Sequence, residues 1–306
     1  MSNAKKADIS TTFTNSVLIF IAGSSYGFIV PVIKTANENG IFPSTVLPLQ
    51  YLIALVASLI FVLVRRIEWS SPKKLCEMAI LGIFTGGTSI CYYTAVTLLP
   101  SSAALTLLFQ YVWISVLIEC IHKRKLPTLS SVVSIAVILI GTVFATGLLD
   151  GDAISLNPIG VVFGAASAVF YALFLYFSGI IGVGQPTALR AVMLAAGGVI
   201  ATSIVSPGAY IAAVQTPQVW PYSFALSILG IIFPTTVINY ASPKLSAGMV
   251  SIMASSELPV GILAAWVLVA DVPSPLVIFG SILVLLGIFL KQIPALLVKG
   301  KDRTAL

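Results

Sequence analysis

The sequence predicts an all-α membrane protein of ten transmembrane helices. Three observations carry that expectation: the apolar composition, the spacing of the hydrophobic runs and the placement of the bases. Of 306 residues, 58% are hydrophobic and 8% charged, and the mean hydropathy is +1.07. Soluble domains are typically about 45–50% apolar, so this chain carries more apolar surface than its own core could hide. Its solvent is expected to be apolar as well.

A helix needs about 20 residues to cross the hydrocarbon. Ten runs of that size follow one another: residues 16–34, 44–64, 75–98, 101–121, 131–149, 157–180, 186–205, 221–240, 246–268 and 275–293. The first, from Val17, is followed by many others, so it reads as a span and not as a removable leader. Between Leu75 and Ile121 the apolar character breaks only at "LLPSS", where Pro100 and two serines turn the chain between the third and fourth spans. "ASPKLSAG", residues 241–248, does the same between the eighth and ninth. The cytoplasmic tails are residues 1–15 and 294–306.

With the amino terminus inside, every one of the 16 lysines and arginines except Lys34 falls on the cytoplasmic side, while Glu38, Asp150, Asp152 and Asp271 fall outside. That pattern obeys the positive-inside rule with both termini cytoplasmic. The net charge of +6 therefore serves topology, and no nucleic-acid partner is expected. Cys76, Cys91 and Cys120 form no CxxC pair and are odd in number, so they read as packing residues.

Ten spans divide into two sets of five, residues 16–150 and 151–293, with the boundary in the loop Asp150–Asn157. Sliding the second half over the first by 146 residues pairs Ala95 with Ala241, Leu99 with Leu245, Pro127 with Pro273 and Gly141 with Gly287. Because five is odd, the repeats would be inverted in the membrane. The loops agree: "HKRKLP" before Pro127 is basic where it should be cytoplasmic, and "VADVP" before Pro273 is acidic where it should be external.

The candidate site follows from cost. An ionisable group at mid-membrane costs about 2.5–3.5 kcal/mol on insertion scales and is normally directed at a bundle interior or wet cavity. Glu257 lies near the middle of the ninth span in "SIMASSELPVGILAAW". Pro259 is read as the helix break, loosening the turn and freeing the carbonyl of Ser255. Glu257 is thus the candidate for proton coupling, with proton uptake and solute binding in competition; the alternative is a protonated acid bonded to a neighbouring helix. In the repeat register Glu257 faces Tyr111 and Ser256 faces Gln110. Tyr26 and Ser25 of "GSSYG", Tyr93 of "CYYT", and Asn239 and Tyr240 of "INY" complete a predicted polar lining, each of them equally readable as packing. Glu119 and His122 are expected at the solvated interface, and Arg190 and Lys291 are expected to snorkel.

No HExxH, P-loop, GxSxG or dinucleotide fingerprint is present, and a single His rules out a histidine metal cluster. No enzyme activity, cofactor or metal is expected.

"SSYG" in the first span, the turns "AVTLLPSSAAL" and "ASPKLSAGMVS", and "SSELPVGILAAWVLVADVPSPLVIFGSILVLLGI" together resemble the drug/metabolite transporter superfamily, in particular its EamA-like ten-helix members. Tyr26 stands where that family usually has Trp, and Asp271 where it has Glu. The resemblance implies an inner- or plasma-membrane carrier, often an exporter of amino acids or similar metabolites. It also implies a cavity lined by spans one, three, four, six, eight and nine, with five and ten peripheral. The expected function is secondary transport of a small organic solute, and the expected partners are that solute, the lipid bilayer and a second copy of the chain through the peripheral helices. A nucleotide-sugar or phosphate-ester carrier, or a membrane sensor or scaffold, is the alternative; a dianionic substrate would want several cavity bases, and only Lys34 offers itself.

Overall fold

The computed structural model describes residues 3–99, 101–146, 157–270 and 272–301, with side chains described within 11–99, 103–146, 157–270 and 272–291. Pro100, the inter-half loop with Asp150 and Asp152, and Asp271 lie outside the described residues. Among the described residues the protein is all-helical, 83% helix. Eight helical stretches are long and apolar enough to cross a membrane, and Leu129–Ala145 and Pro275–Lys291 are two shorter apolar helices.

The chain runs through α1 (Asn3–Gly27), α2 (Ile29–Glu38), α3 (Pro43–Val64), α4 (Pro72–Leu98), α5 (Ser101–Leu108), α6 (Tyr111–Lys123), α7 (Leu129–Ala145) and α8 (Pro158–Phe177). It continues through α9 (Thr187–Val205), α10 (Ala209–Gln215), α11 (Val219–Ser227), α12 (Phe233–Ala241), α13 (Ala247–Ala254), α14 (Glu257–Val269) and α15 (Pro275–Lys301). Three of the expected spans are broken helices. The first, Thr11–Glu38, turns at Phe28, three residues before Pro31, whose ring excludes the carbonyl one turn back. The fourth turns at Phe109–Gln110 and the ninth at Ser255–Ser256. The eighth passes from α11 to α12 through a π-helical stretch, Ile228–Ile232, ahead of Pro234, a wider turn of the kind that accommodates a missing N–H. The short helix α10 was not anticipated.

The ninth span breaks at Ser255–Ser256, one turn before Pro259, as the first does before Pro31: Pro259 sits in the first turn of α14, where a missing N–H is tolerated and its ring excludes the carbonyl of Ser255. The Ser255 carbonyl is not freed as expected, since it accepts the N–H of Leu258 at 3.3 Å.

Element bounds recur at the 146-residue spacing. α5, α6 and α7 begin at Ser101, Tyr111 and Leu129; α13, α14 and α15 begin at Ala247, Glu257 and Pro275. Arg124 (φ 51, ψ 42) and Ala270 (φ 54, ψ 27) both end their helices in the left-handed conformation. Thr128 and Ser274 cap α7 and α15, accepting from the N–H groups of Ser131 and Val277, each at 3.3 Å. α7 and α15 pack on each other at the two matched glycines. A Cβ on Gly141 would lie 2.8 Å from Val284 N, and one on Gly287 would lie 3.2 Å from Ile138 N.

Around this seam, α4 packs on α8 and α9, α8 on α6, and α1 on α12, α13 and α14. The buried core runs through the bundle centre and includes Ile19, Tyr51, Phe109, Tyr111, Phe174, Ile252 and Leu258.

One expectation about charge is corrected here. Arg190 does not snorkel: it is 3% exposed, and its guanidinium donates to the backbone carbonyls of Ser178 and Asn239 and, at 3.3 Å, to Asn239 Oδ1. These carbonyls lie at the ends of α8 and α12, where helices leave acceptors unsatisfied, so the fork ties two C-termini. Glu119 is only partly solvated: its Oε2 accepts the N–H of Gly248 at 3.0 Å and its Oε1 pairs with Lys123 at 2.6 Å. Lys291 donates to Ser131 Oγ and, at 3.2 Å, to Thr128 Oγ1, bridging α15 to the start of α7.

Candidate functional site

The site is built where the two breaks meet. At Ser255–Ser256 the α-helix gives way to a tighter turn, with Ser256 N–H donating to the Met253 carbonyl and Leu258 N–H to that of Ser255, each at 3.3 Å, and it restarts with Glu257 as the first residue of α14. A carboxylate in a first turn faces the N-terminal end of the helix dipole, which favours negative charge. The serines hold the break in place. Ser256 Oγ donates to the Phe20 carbonyl of α1 at 2.7 Å, and Ser255 Oγ lies 3.4 Å from the Tyr111 hydroxyl. The glycines of "GSSYG" allow α1 to approach: a Cβ on Gly23 would stand 2.5 Å from the Ala254 carbonyl, and one on Gly27 would stand 2.7 Å from that of Glu257. Small residues on α1 thus press it onto the broken span.

Around Glu257 stands a ring of phenols. Tyr26 from α1, Tyr92 from α4, Tyr111 from α6 and Tyr171 from α8 all lie within its electrostatic reach. The rings touch one another: Tyr111 and Tyr171 have centroids 4.5 Å apart, and Tyr26 and Tyr171 are 6.1 Å apart at right angles. Tyr51 from α3 extends the group toward Tyr26 and Tyr93 and shares a hydrogen bond of 3.2 Å with Ser89. Glu257, Tyr26, Tyr92 and Tyr93 are enclosed by protein yet keep accessible surface, as side chains lining an internal space do. Among the described residues, nothing hydrogen-bonds or ion-pairs with the Glu257 carboxylate. The buried hydroxyl of Tyr171 also has no partner.

The expected site residues therefore divide. Glu257, Tyr111, Tyr26 and Tyr93 come together. Ser256 is at the same place but fully buried and committed to Phe20. Ser25 donates to the Leu229 carbonyl at 2.8 Å, bracing α1 against the π-helical stretch. Gln110 is not brought to the ring: its amide donates to the Thr106 carbonyl at 3.0 Å and accepts from the exposed Trp113 indole at 2.9 Å. An amide mid-span can meet its needs within one helix turn, and this one does. Asn239 is buried against Arg190, and Tyr240 is an exposed surface residue with the Lys244 ammonium 3.7 Å over its ring. Tyr51 and Ser89 were not singled out from the sequence. The signal for Tyr51 was its pairing with Gln50, two hydrogen-bonding side chains inside an apolar run.

Chemically, an acceptor-only group ringed by aromatic faces suits a cation or a hydrogen-bond donor. Among the described residues no group of three or more His, Cys, Asp or Glu side chains comes together as a metal site would require.

The comparisons bear on the first half by sequence and on the whole chain by fold. Residues 14–147 match the model of the EamA-like transporter family. No curated protein matches the chain. A solved crystal structure, described only as that of a protein, aligns with a TM-score of 0.71 at 19% identity, covering 91% of this chain and 98% of its own. At that identity it shows a shared fold. Residues 14–147 are thus similar to the EamA-like transporter family, which bears out the resemblance to the drug/metabolite transporter superfamily over that stretch, and the protein is a multi-pass membrane protein.

Proposed function

We propose that the protein is a secondary transporter of a small organic solute carrying an amine, an amino acid being the nearest class. Solute would bind at Glu257 within the ring of Tyr26, Tyr92, Tyr111 and Tyr171. The observation that carries this reading is the unpaired, water-accessible carboxylate at the break of the ninth span, faced by phenols from four other helices. A mid-membrane acid without a partner is costly unless something else meets it, and an ammonium or a proton would do so. The two compete for one carboxylate, which couples solute movement to protons.

The architecture assigned to it is two inverted five-helix repeats, residues 16–150 and 151–293, with both termini cytoplasmic in an inner or plasma membrane. The common 146-residue register of breaks, caps and glycine contacts supports it. Solute would cross by rocking of the halves about the midplane site, and export is the direction that the family resemblance suggests. The seam of α7 against α15 joins the halves within one chain. A phosphate-ester substrate is disfavoured, because the ring holds an acid and no base.

The test is a flux panel of amino acids and amines in proteoliposomes, with and without a pH gradient, comparing wild type with Glu257→Gln. Gradient-dependent flux of an amine-bearing solute, lost in the variant, is expected. Flux and pH response unchanged in Glu257→Gln would sink the assignment, and a wild type that moves no solute while retaining a protein partner would favour a sensor or scaffold.

A further inference from the structure

A second site lies away from Glu257. Where the start of the first span meets the end of the eighth, a cleft of about 340 Å³ is lined by Thr11, Thr14, Asn15, Leu18, Tyr240 and Lys244. Its floor is the packing of α1 on α12. Asn15 is 3% exposed; its amide N–H donates to the Thr11 carbonyl at 2.6 Å, and its Oδ1 has no partner among the described residues. A buried acceptor left without a donor is rare and unfavourable. It marks a place where a donor from elsewhere belongs. On the opposite wall, the Lys244 ammonium stands 3.7 Å over the Tyr240 ring, an exposed cation at the cleft mouth.

The cleft thus offers a cation for an anion and an acceptor for a donor. It also continues into apolar surface. Val17 and Ile21 of α1 are 40% and 45% exposed, and Phe233 and Tyr240 of α12 are 40% and 51% exposed. Helical spacing puts Thr14, Val17, Leu18 and Ile21 in one stripe, and Phe233, Val237, Tyr240 and Lys244 in another. Two apolar stripes therefore lead from the polar cleft toward the membrane interior.

We propose that this cleft binds a phosphate ester that carries an amine or hydroxyl donor, supplied as the headgroup of a glycerophospholipid. The phosphate meets Lys244, the donor meets Asn15 Oδ1, and an acyl chain lies along Val17, Ile21 and Phe233. A lipid is favoured over a free phosphate ester because the cleft stands at the ends of two spans, where headgroups lie, and opens onto apolar stripes. The chemistry discriminates among lipids. Phosphatidylethanolamine and phosphatidylglycerol have the donor; phosphatidylcholine has the same phosphate and the same net charge as phosphatidylethanolamine but no N–H or O–H to give.

The test is native mass spectrometry of the purified full chain, titrated in detergent with dioleoyl phosphatidylethanolamine, phosphatidylglycerol or phosphatidylcholine. One tightly bound lipid is expected, with the first two retained at least fivefold better than the third. Asn15→Leu should reduce that preference to parity. Lys244→Met, at an exposed position that leaves the fold intact, should weaken retention of all three. Equal retention of phosphatidylcholine by wild type overturns the proposal without any variant, as does an unchanged preference in Asn15→Leu. Free phosphoethanolamine that binds as tightly as the lipid overturns the lipid assignment. None of these readouts depends on transport, so they stand or fall apart from the Glu257 reading.

Discussion

Glu119, near the end of α6, accepts the backbone N–H of Gly248 at the start of α13 at 3.0 Å, which ties the fourth span to the ninth at the end marked by Lys123. At that same end Lys291 bridges α15 to the cap of α7. At the matching position 146 residues on, Glu119 becomes Ala265, and Lys291 corresponds to Ala145 in the first half. Helix starts recur, but at the two matched positions the polar side chains are replaced by alanine, so this pair of ties is not repeated. Below the tie the bundle is closed, with Ser115, Val116, Val250 and Ser251 all buried.

Release of that tie should open this end. A hydrogen bond to a charged group contributes about 1.5–3 kcal/mol, or roughly one to two orders of magnitude in an open–closed equilibrium. Glu119→Ala is therefore expected to speed maleimide labelling of a cysteine placed at Val250, in a background lacking Cys76, Cys91 and Cys120, by about tenfold or more. An unchanged labelling rate would show that the bond does not hold the end shut.

The ring at Glu257 makes a graded prediction. If Tyr171 acts as an aromatic wall, Tyr171→Phe keeps the face and Tyr171→Leu removes it. A cation–π contact contributes about 0.5–2 kcal/mol, so solute affinity should fall by about 3- to 30-fold in the leucine variant and by less in the phenylalanine variant. Equilibrium binding of the solute found in the flux panel checks this; equal affinity in both variants would remove Tyr171 from the site.

Arg190 predicts a stability effect rather than a transport one. Lysine retains the charge but cannot span the Ser178 and Asn239 carbonyls with one ammonium. Arg190→Lys should therefore lower the melting temperature in detergent, each lost charged bond costing about 1.5–3 kcal/mol. An unchanged melting temperature would mean that the two helix ends find other donors.

At the α7–α15 seam, Gly287→Leu should destabilise by about 1–3 kcal/mol, because the added atoms meet the branched Ile138 side chain and, behind it, the Ser134 carbonyl and Ile138 N–H. Gly208→Ala is the control: a Cβ there has nothing within 4 Å, and thermal unfolding should be nearly unmoved.

How much of this was legible in the sequence differs residue by residue. Glu257 announced itself because a carboxylate in an apolar run is conspicuous whatever surrounds it. Pro259 pointed to a break one turn before it, at Ser255, but not to the Leu258 N–H that takes up the Ser255 carbonyl there. The matching break at Phe109–Gln110 had no local signal, because "LLFQYVW" contains neither glycine nor proline. Gln110 and Asn239 looked like lining residues, yet a helix neighbour takes up the amide of one and Arg190 packs against the other.

The sequence by itself determined that this protein lives in a bilayer, roughly where its helices run, and the 146-residue spacing at which helix starts recur. Those follow from partition between water and hydrocarbon and from the positions of charge, which are properties of each segment alone. Only the tertiary structure decided which polar groups remain unpaired. Whether a hydroxyl, amide or carboxylate faces a solute depends on the face of its helix that neighbouring helices leave uncovered, and on whether another group reaches it first.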